Sequence, residues 1–166
     1  MRGRRGQFYL IAAMIIIVVV VGFVTISNYS RKRTSSKLYD FGDELEIESQ
    51  NVIAYGTNKG ADLDNLLDQF TDSYIEYVGD NRNLYFLFGD SESIVVKAHQ
   101  EISEEVSVDG SSLPITGGTG EETYAPQNPV VISIGDTEYP FDLVEGENFY
   151  FIVSQEIEGE KYVVTG

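Results

Sequence analysis

The chain has 166 residues, no cysteine, and a formal net charge of −16. This length accommodates one domain besides any N-terminal segment, and the lack of cysteine excludes a disulfide-stapled scaffold. The charge is strongly segregated, because seven of the 11 basic residues lie at or before Lys37. Residues 38–166 hold the other four basic side chains and all 27 acidic ones, a net charge of −23. Nucleic acid is thereby excluded as a partner, since phosphate contacts require Lys and Arg.

The first predicted element is a long apolar helix. Residues 8–26 carry no charge, and 19 helical residues extend roughly 28 Å at about 1.5 Å per residue. A hydrocarbon core is about 30 Å thick, so the pattern predicts a transmembrane helix over residues 7–29, with the lipid bilayer as partner. Its marker residues are Phe8, Ile16, Val20, Gly22 and Ile26.

The composition of this helix restricts its role. It contains no charge, which excludes a transport or proton-relay helix, and it lacks a small-xxx-small seam for tight pairwise dimerisation. A helix that is apolar on all sides suits either lipid or the buried core of a helical filament. Its periodicity does not separate a plain anchor from a filament subunit.

A short basic leader, residues 1–6, precedes the helix and ends in Gly6, with Gln7 opening the apolar run. This arrangement resembles the class III leader of archaeal type IV pilin-like proteins, although Tyr9 and Ile11 stand where the family has Ser and Glu. The resemblance implies cleavage between Gly6 and Gln7 by a prepilin peptidase-like enzyme, with the helix retained. It further implies a cytoplasmic N-terminus, a C-terminal domain outside the cell, and packing against copies of itself in a filament. A removed signal peptide is the alternative, with a weak small-x-small site ending at Ser27.

Two helical segments are expected next. Residues 30–60 form a predicted helical stem, whose apolar stripe includes Leu38, Phe41 and Leu45 and which stops near Gly60. A second, amphipathic helix is predicted over residues 62–78, because its apolar residues recur on one face. The opposite face carries an acidic row that we interpret as solvated rather than cation-binding: Asp64, Asp68, Asp72 and Glu76.

The rest of the chain reads as short strands rich in Val, Ile, Tyr and Phe. They are predicted at residues 84–88, 93–100, 106–108, 130–134, 138–143, 149–155 and 161–165. Residues 110–129 are predicted to be a long loop and the preferred contact surface. The fold class is therefore α+β: an antiparallel sheet or small sandwich packed on the helices, with residues 61–166 forming an acidic extracellular domain.

No motif in the chain indicates catalysis, a metal or a cofactor. Residues 113–117 spell a sortase recognition string, but roughly fifty acidic, strand-forming residues follow instead of an apolar stretch and a basic tail. His99 is the only histidine and has no motif partner, so a structural role is favoured. A site built from scattered carboxylates such as Asp90 and Glu92 is the weakest hypothesis, because no specific reaction follows from it.

The sequence thus predicts a non-enzymatic, membrane-tethered, pilin-like protein at the cell membrane or cell surface. The alternative is a monomeric, single-pass anchored binding module, such as an adhesin or a subunit of an envelope complex, that does not assemble into filaments. Leader cleavage, the adhesion target and cation binding by the acidic surface are left open by the sequence.

Overall fold

The computed structural model describes residues 4–77 and 82–166, and for residues 4–12 and 22–36 only the backbone is described. The chain divides into two compact units, Met1–Lys37 and Leu38–Gly166. The described elements are two helices and nine strands: α1 (Arg4–Lys59), α2 (Leu63–Tyr77), β1 (Arg82–Gly89), β2 (Ile94–His99), β3 (Val106–Val108), β4 (Ser111–Ser112), β5 (Thr119–Tyr124), β6 (Val130–Ile134), β7 (Thr137–Phe141), β8 (Asn148–Ile157) and β9 (Glu160–Thr165).

The predicted membrane-spanning helix is corrected by the structure. Within residues 4–77 and 82–166 as described, no helix meets the length and apolarity that crossing a bilayer demands. The predictions of a transmembrane helix over residues 7–29 and of a single-pass membrane or cell-surface location, with a cytoplasmic N-terminus and the domain outside, are therefore wrong.

In the second unit, α1 buries the stripe that the sequence indicated. Leu38, Phe41 and Leu45 are buried, while Tyr55 at the far end of the stripe is exposed. The helix ends at Lys59, and Gly60 follows with a φ of 60°, the left-handed conformation with which glycine commonly terminates a helix. The predicted stop at this glycine is therefore confirmed.

α2 packs against α1 through aromatic side chains. The Phe41 and Tyr74 rings meet edge to face with centroids 5.7 Å apart, and the Tyr74 hydroxyl donates a 2.8 Å hydrogen bond to Glu48 Oε2. Both helices cover one face of a five-stranded antiparallel sheet with the order β5-β2-β1-β8-β9. The second helix predicted from periodicity is confirmed at Leu63–Tyr77, and Val78 lies outside the described residues.

The central strand β1 separates two apolar cores because its side chains alternate across the sheet. Leu84, Phe86 and Phe88 belong to the core beneath the helices, whereas Tyr85 and Leu87 belong to the core on the other face. That second core is closed by a four-stranded antiparallel sheet with the order β4-β3-β6-β7. The class is α+β, with two antiparallel sheets packed face to face.

Residues 110–129 are not the uninterrupted loop that was predicted. They contain β4 and β5, and β5 pairs with β2 in antiparallel register from Thr119 opposite His99 to Tyr124 opposite Ile94. β5 is an edge strand with mostly exposed side chains, including Glu121 and Glu122, so it has no apolar alternation by which the sequence could reveal it.

Candidate functional site

The most distinctive described feature of the first unit is an exposed apolar segment of α1, residues 13–21. Each of its large side chains, from Met14 to Val21, is between 49% and 66% exposed. A helix turns about 100° per residue, so nine consecutive apolar residues make two and a half turns and leave no polar side. Burying one Val or Ile side chain contributes roughly 1.5–3 kcal/mol, so this segment gains on the order of 10 kcal/mol when it is covered.

A second candidate site lies in the C-terminal unit, where β2 places a buried lysine under α2. The Lys97 side chain is 5% exposed, and its Nζ lies 2.5 Å from Asp68 Oδ1 and 2.9 Å from Asp72 Oδ1. Glu121 Oε2, on the neighbouring strand β5, is 3.4 Å away. One ammonium thus joins α2, β2 and β5.

The electrostatics of this lysine follow from its neighbours. Burial by itself would lower the pKa of Lys97, but hydrogen bonds to Asp68 and Asp72 and the nearby Glu121 carboxylate outweigh burial and raise it. The lysine is therefore an ammonium at neutral pH, and with three carboxylates around it the cluster carries a net charge of −2.

The acidic row of α2 is predicted to be solvated, and all four side chains reach solvent, but two of them also bind a lysine. Asp68 and Asp72 bind Lys97, whereas Asp64 and Glu76 are exposed. Sequence reasoning missed the lysine because no motif contains it. The available signal was a single charge inside an apolar strand, between Val96 and Ala98, where an unpaired charge is costly and a partner is required.

Beside the lysine runs a groove of about 290 Å³, large enough for a basic side chain or a small cation. Its walls combine acidic and small residues, so their charge suits a cationic group. The lining residues are Asp72, Ile75, Lys97, Ala98, Thr119, Gly120 and Glu121.

The residues named from the sequence for the N-terminal segment are placed as follows. Ile16 and Val20 are 63% and 54% exposed within the apolar segment of α1. Gly6, Gln7, Phe8, Gly22 and Ile26 lie along the α1 backbone, outside the residues whose side chains are described. Of these seven residues, only Ile16 and Val20 have described side chains.

The residues of the weak enzyme hypothesis have a structural role in the turn between β1 and β2. Asp90 Oδ1 accepts hydrogen bonds from the backbone N–H groups of Glu92 and Ser93, at 2.8 and 2.9 Å. These two bonds lower the pKa of the Asp90 carboxyl. The arrangement closes the turn between β1 and β2.

The other residues noted in the sequence make contacts within the fold. His99 Nε2 lies 3.6 Å from Glu101 Oε1, a contact at the end of β2. Leu113, the first residue of the sortase-like string, is buried in the core between the sheets. Across the part of the chain that the structure describes, no group of three or more His, Cys, Asp and Glu side chains is arranged to hold a metal.

Comparison with known proteins adds no relative. No protein-family model matches the chain, and neither a curated protein nor a solved structure matches it.

Proposed function

We propose that this protein is a non-enzymatic, pilin-like subunit that assembles with copies of itself through the apolar segment of α1. The observation that carries the proposal is the exposure of every described side chain in residues 13–21. The likeness of the leader to class III leaders supports it, because in that family the apolar helix is retained and packs into a filament core.

The distribution of apolar side chains favours several neighbours over one. A single partner helix covers one stripe of a helix surface, as the a and d positions of a two-stranded coiled coil do. Ile16, Ile17, Val18 and Val19 point in four directions about 100° apart, and all four are exposed. Covering them all requires a bundle of helices, which is the arrangement of a filament core.

A scan of four single substitutions tests this assembly. We expect Ile16→Asn, Ile17→Asn, Val18→Asn and Val19→Asn each to reduce the sedimenting, filamentous fraction of purified protein at least tenfold, because each buries an unpaired amide in a helix interface. The matched controls are Tyr39→Asn and Ile47→Asn, which change exposed apolar residues of the same helix outside the segment.

The pattern of effects discriminates among the alternatives. Loss confined to one face of α1 would indicate a dimer, and equal effects of the controls would indicate general destabilisation. Wild-type protein that sediments as a monomer would refute assembly. It would favour the second candidate, a monomeric binding module, for which the groove beside Lys97 is the supporting observation.

Processing of the leader is part of the proposal and has its own test. Cleavage by a prepilin peptidase-like enzyme leaves Gln7 as the first residue of the mature protein, and intact mass measurement of protein from the native cell reads this directly. We expect Gly6→Val to block cleavage, since the resemblance places Gly6 immediately before the cut. Mature protein that begins at Met1 or near Asn28 would contradict this processing.

A further inference from the structure

Strand β5 has an unpaired outer edge. In the five-stranded sheet β5 is the outermost strand, with β2 on its inner side. The Gln100 N–H donates to the Gly118 carbonyl at 2.7 Å, and bonded pairs of an antiparallel ladder recur at every second residue. Every second residue from Gly118 onwards therefore bonds to β2, and the backbone N–H and C=O groups of Glu121 and Thr123 face away from it. These two residues define the outer edge of β5.

A proline leaves this edge without a neighbour. Thr119, the first residue of β5, exchanges outward hydrogen bonds with Thr116, at 2.8 and 3.3 Å. If this pairing continued in register, Pro114 would lie opposite Glu121, and proline has no N–H to donate. The preceding residue, Leu113, is instead buried in the core between the two sheets. The pairing therefore ends at Thr116, and the rest of the outer edge has no strand partner among the described residues.

The groove beside Lys97 runs along this edge. Glu121 is opposite Lys97 in the β2–β5 register, so its side chain lies on the helix side of the sheet, where it lines the groove together with Asp72. Glu122 is opposite Val96, a residue of the core between the sheets, and so lies on the other side. The side chains of Asp72 and Glu121 are 65% and 54% exposed. Both carboxylates therefore remain accessible to a further cation.

The charges beside the edge determine which strand can pair with it. Neighbouring strands lie about 4.8 Å apart, so every second side chain of an added strand comes beside Glu121 and the groove. A second copy of β5 would bring Glu121 and Glu122 against the same two residues, and like charges directly opposite are destabilising. A Lys or Arg at that position instead meets the cluster around Lys97, whose net charge is −2. The edge therefore suits an extended basic segment and disfavours self-pairing.

We propose that the outer edge of β5 binds an extended, Lys- or Arg-containing segment of a partner protein, which joins the five-stranded sheet as an additional strand. The backbone of the segment exchanges hydrogen bonds with Glu121 and Thr123, and a basic side chain enters the groove between Glu121 and Asp72. Strand addition of this kind takes its affinity from the main chain and its specificity from alternate side chains.

The segment belongs to another protein because most basic residues of this chain lie in α1, which is helical over Arg4–Lys59. The binding surface lies wholly within the C-terminal unit, Leu38–Gly166, and does not depend on assembly through α1.

Fluorescence anisotropy of short labelled peptides with the full chain tests this binding. The probe alternates Thr and Lys, and two matched probes have the same sequence with N-methyl groups on either the Lys or the Thr amides. All three carry the same charge, but only one methylated peptide has its methyl groups on the amides that face β5. We expect that peptide to bind about tenfold more weakly or worse, because it loses backbone hydrogen bonds, while the other binds like the probe.

Variants of β5 test the same surface from the protein side. We expect Glu121→Gln to weaken binding of the probe about threefold, whereas Glu122→Gln, the same charge change on the other side of the strand, should leave it unchanged. Thr123→Pro removes an outward N–H without removing a bond to β2, and should also weaken binding.

Two results would overturn the proposal. Equal binding of the two methylated peptides, or equal effects of Glu121→Gln and Glu122→Gln, would mean that the probe is held by the overall negative charge alone. Absence of binding at millimolar peptide would exclude strand addition by a basic segment. The peptide comparison stands even if Thr123→Pro fails to fold, because it uses the unaltered chain.

Discussion

At the scale of single residues, Lys97 is the charge on which the packing of α2 depends most directly. Lys97→Met keeps the length and apolar stem of the side chain but leaves Asp68, Asp72 and Glu121 to repel one another. Its carboxylate partners are 44% to 65% exposed, so solvent weakens the loss. We expect the free energy of unfolding to fall by about 1–3 kcal/mol.

Chemical denaturation measures this change, and Lys59→Met is the matched control because Lys59 is exposed at the end of α1. The control should change the free energy of unfolding by less than about 0.5 kcal/mol. Equal stability of wild type and Lys97→Met would show that the three ion pairs contribute nothing.

Glu147 makes the free energy of unfolding depend on pH, and its raised pKa fixes the sign of that dependence. Its pKa in the folded protein is about 7, above the ordinary value for glutamate, so between about pH 4.5 and 7 the folded state binds more protons than the unfolded state. Stability should therefore fall as pH rises through this window and level off above it. Because the side chain is only partly buried, we expect a contribution of about 1–2 kcal/mol after solvent screening.

The difference between wild type and Glu147→Gln isolates this contribution. The free energy of unfolding of the variant should not fall between about pH 4.5 and 7 as that of the wild type does. The difference in free energy of unfolding between the two proteins should therefore be larger at pH 8 than at pH 5. A difference that is constant with pH would contradict the assignment of the proton to Glu147.

At the scale of elements, the close approach of α1 to β9 depends on a small residue. A Cβ at Gly42 would lie 2.5 Å from Val164 Cγ1, too close unless the Val164 side chain, the strand or the helix shifts. We expect Gly42→Ile to lower the free energy of unfolding by about 1–3 kcal/mol, the usual cost of overpacking. Ala54→Ile, at an exposed position of the same helix, is the control. Thermal unfolding of the two variants makes the comparison, and equal melting temperatures would contradict the close packing.

The sequence identified elements where the pattern reflects burial. β1, β6 and β8 stood out because their β-branched and aromatic side chains fill two cores, and α2 stood out through its apolar face. β5 was not predicted, because it is an edge strand of mainly Thr, Gly and Glu. It is held by backbone hydrogen bonds to β2, which do not require apolar residues. The predicted membrane helix was wrong, since no helix among the described residues is long and apolar enough to cross a bilayer.

The candidate sites were less predictable than the fold. Exposure of Ile16 and Val20 follows from a run of apolar residues with no amphipathic alternation, which the sequence displays directly. The neighbours of Lys97 and Glu147 come from elements far apart in the chain, so the local sequence pattern does not predict them.

At the scale of the whole molecule, the segregation of charge has a measurable consequence. Residues 38–166 carry four basic and 27 acidic side chains, so repulsion among the acidic groups lowers the stability of the folded unit. Salt screens that repulsion, with a Debye length of about 30 Å at 0.01 M and about 10 Å at 0.1 M. We expect the melting temperature to rise by a few degrees, roughly 1 kcal/mol, over this range of sodium chloride. A melting temperature that falls with salt would show that attractive ion pairs dominate instead.

Self-assembly through α1 is the central claim, and the mass of the full chain in solution tests it most directly. Analytical ultracentrifugation of the wild type over a hundredfold range of concentration should show species far larger than the 18.5 kDa monomer, growing with concentration as filaments do. The variant Val18→Ala with Val20→Ala keeps the helix but removes packing volume, and should shift the distribution towards monomer. A wild-type chain that remains an 18.5 kDa monomer at every concentration would contradict the account.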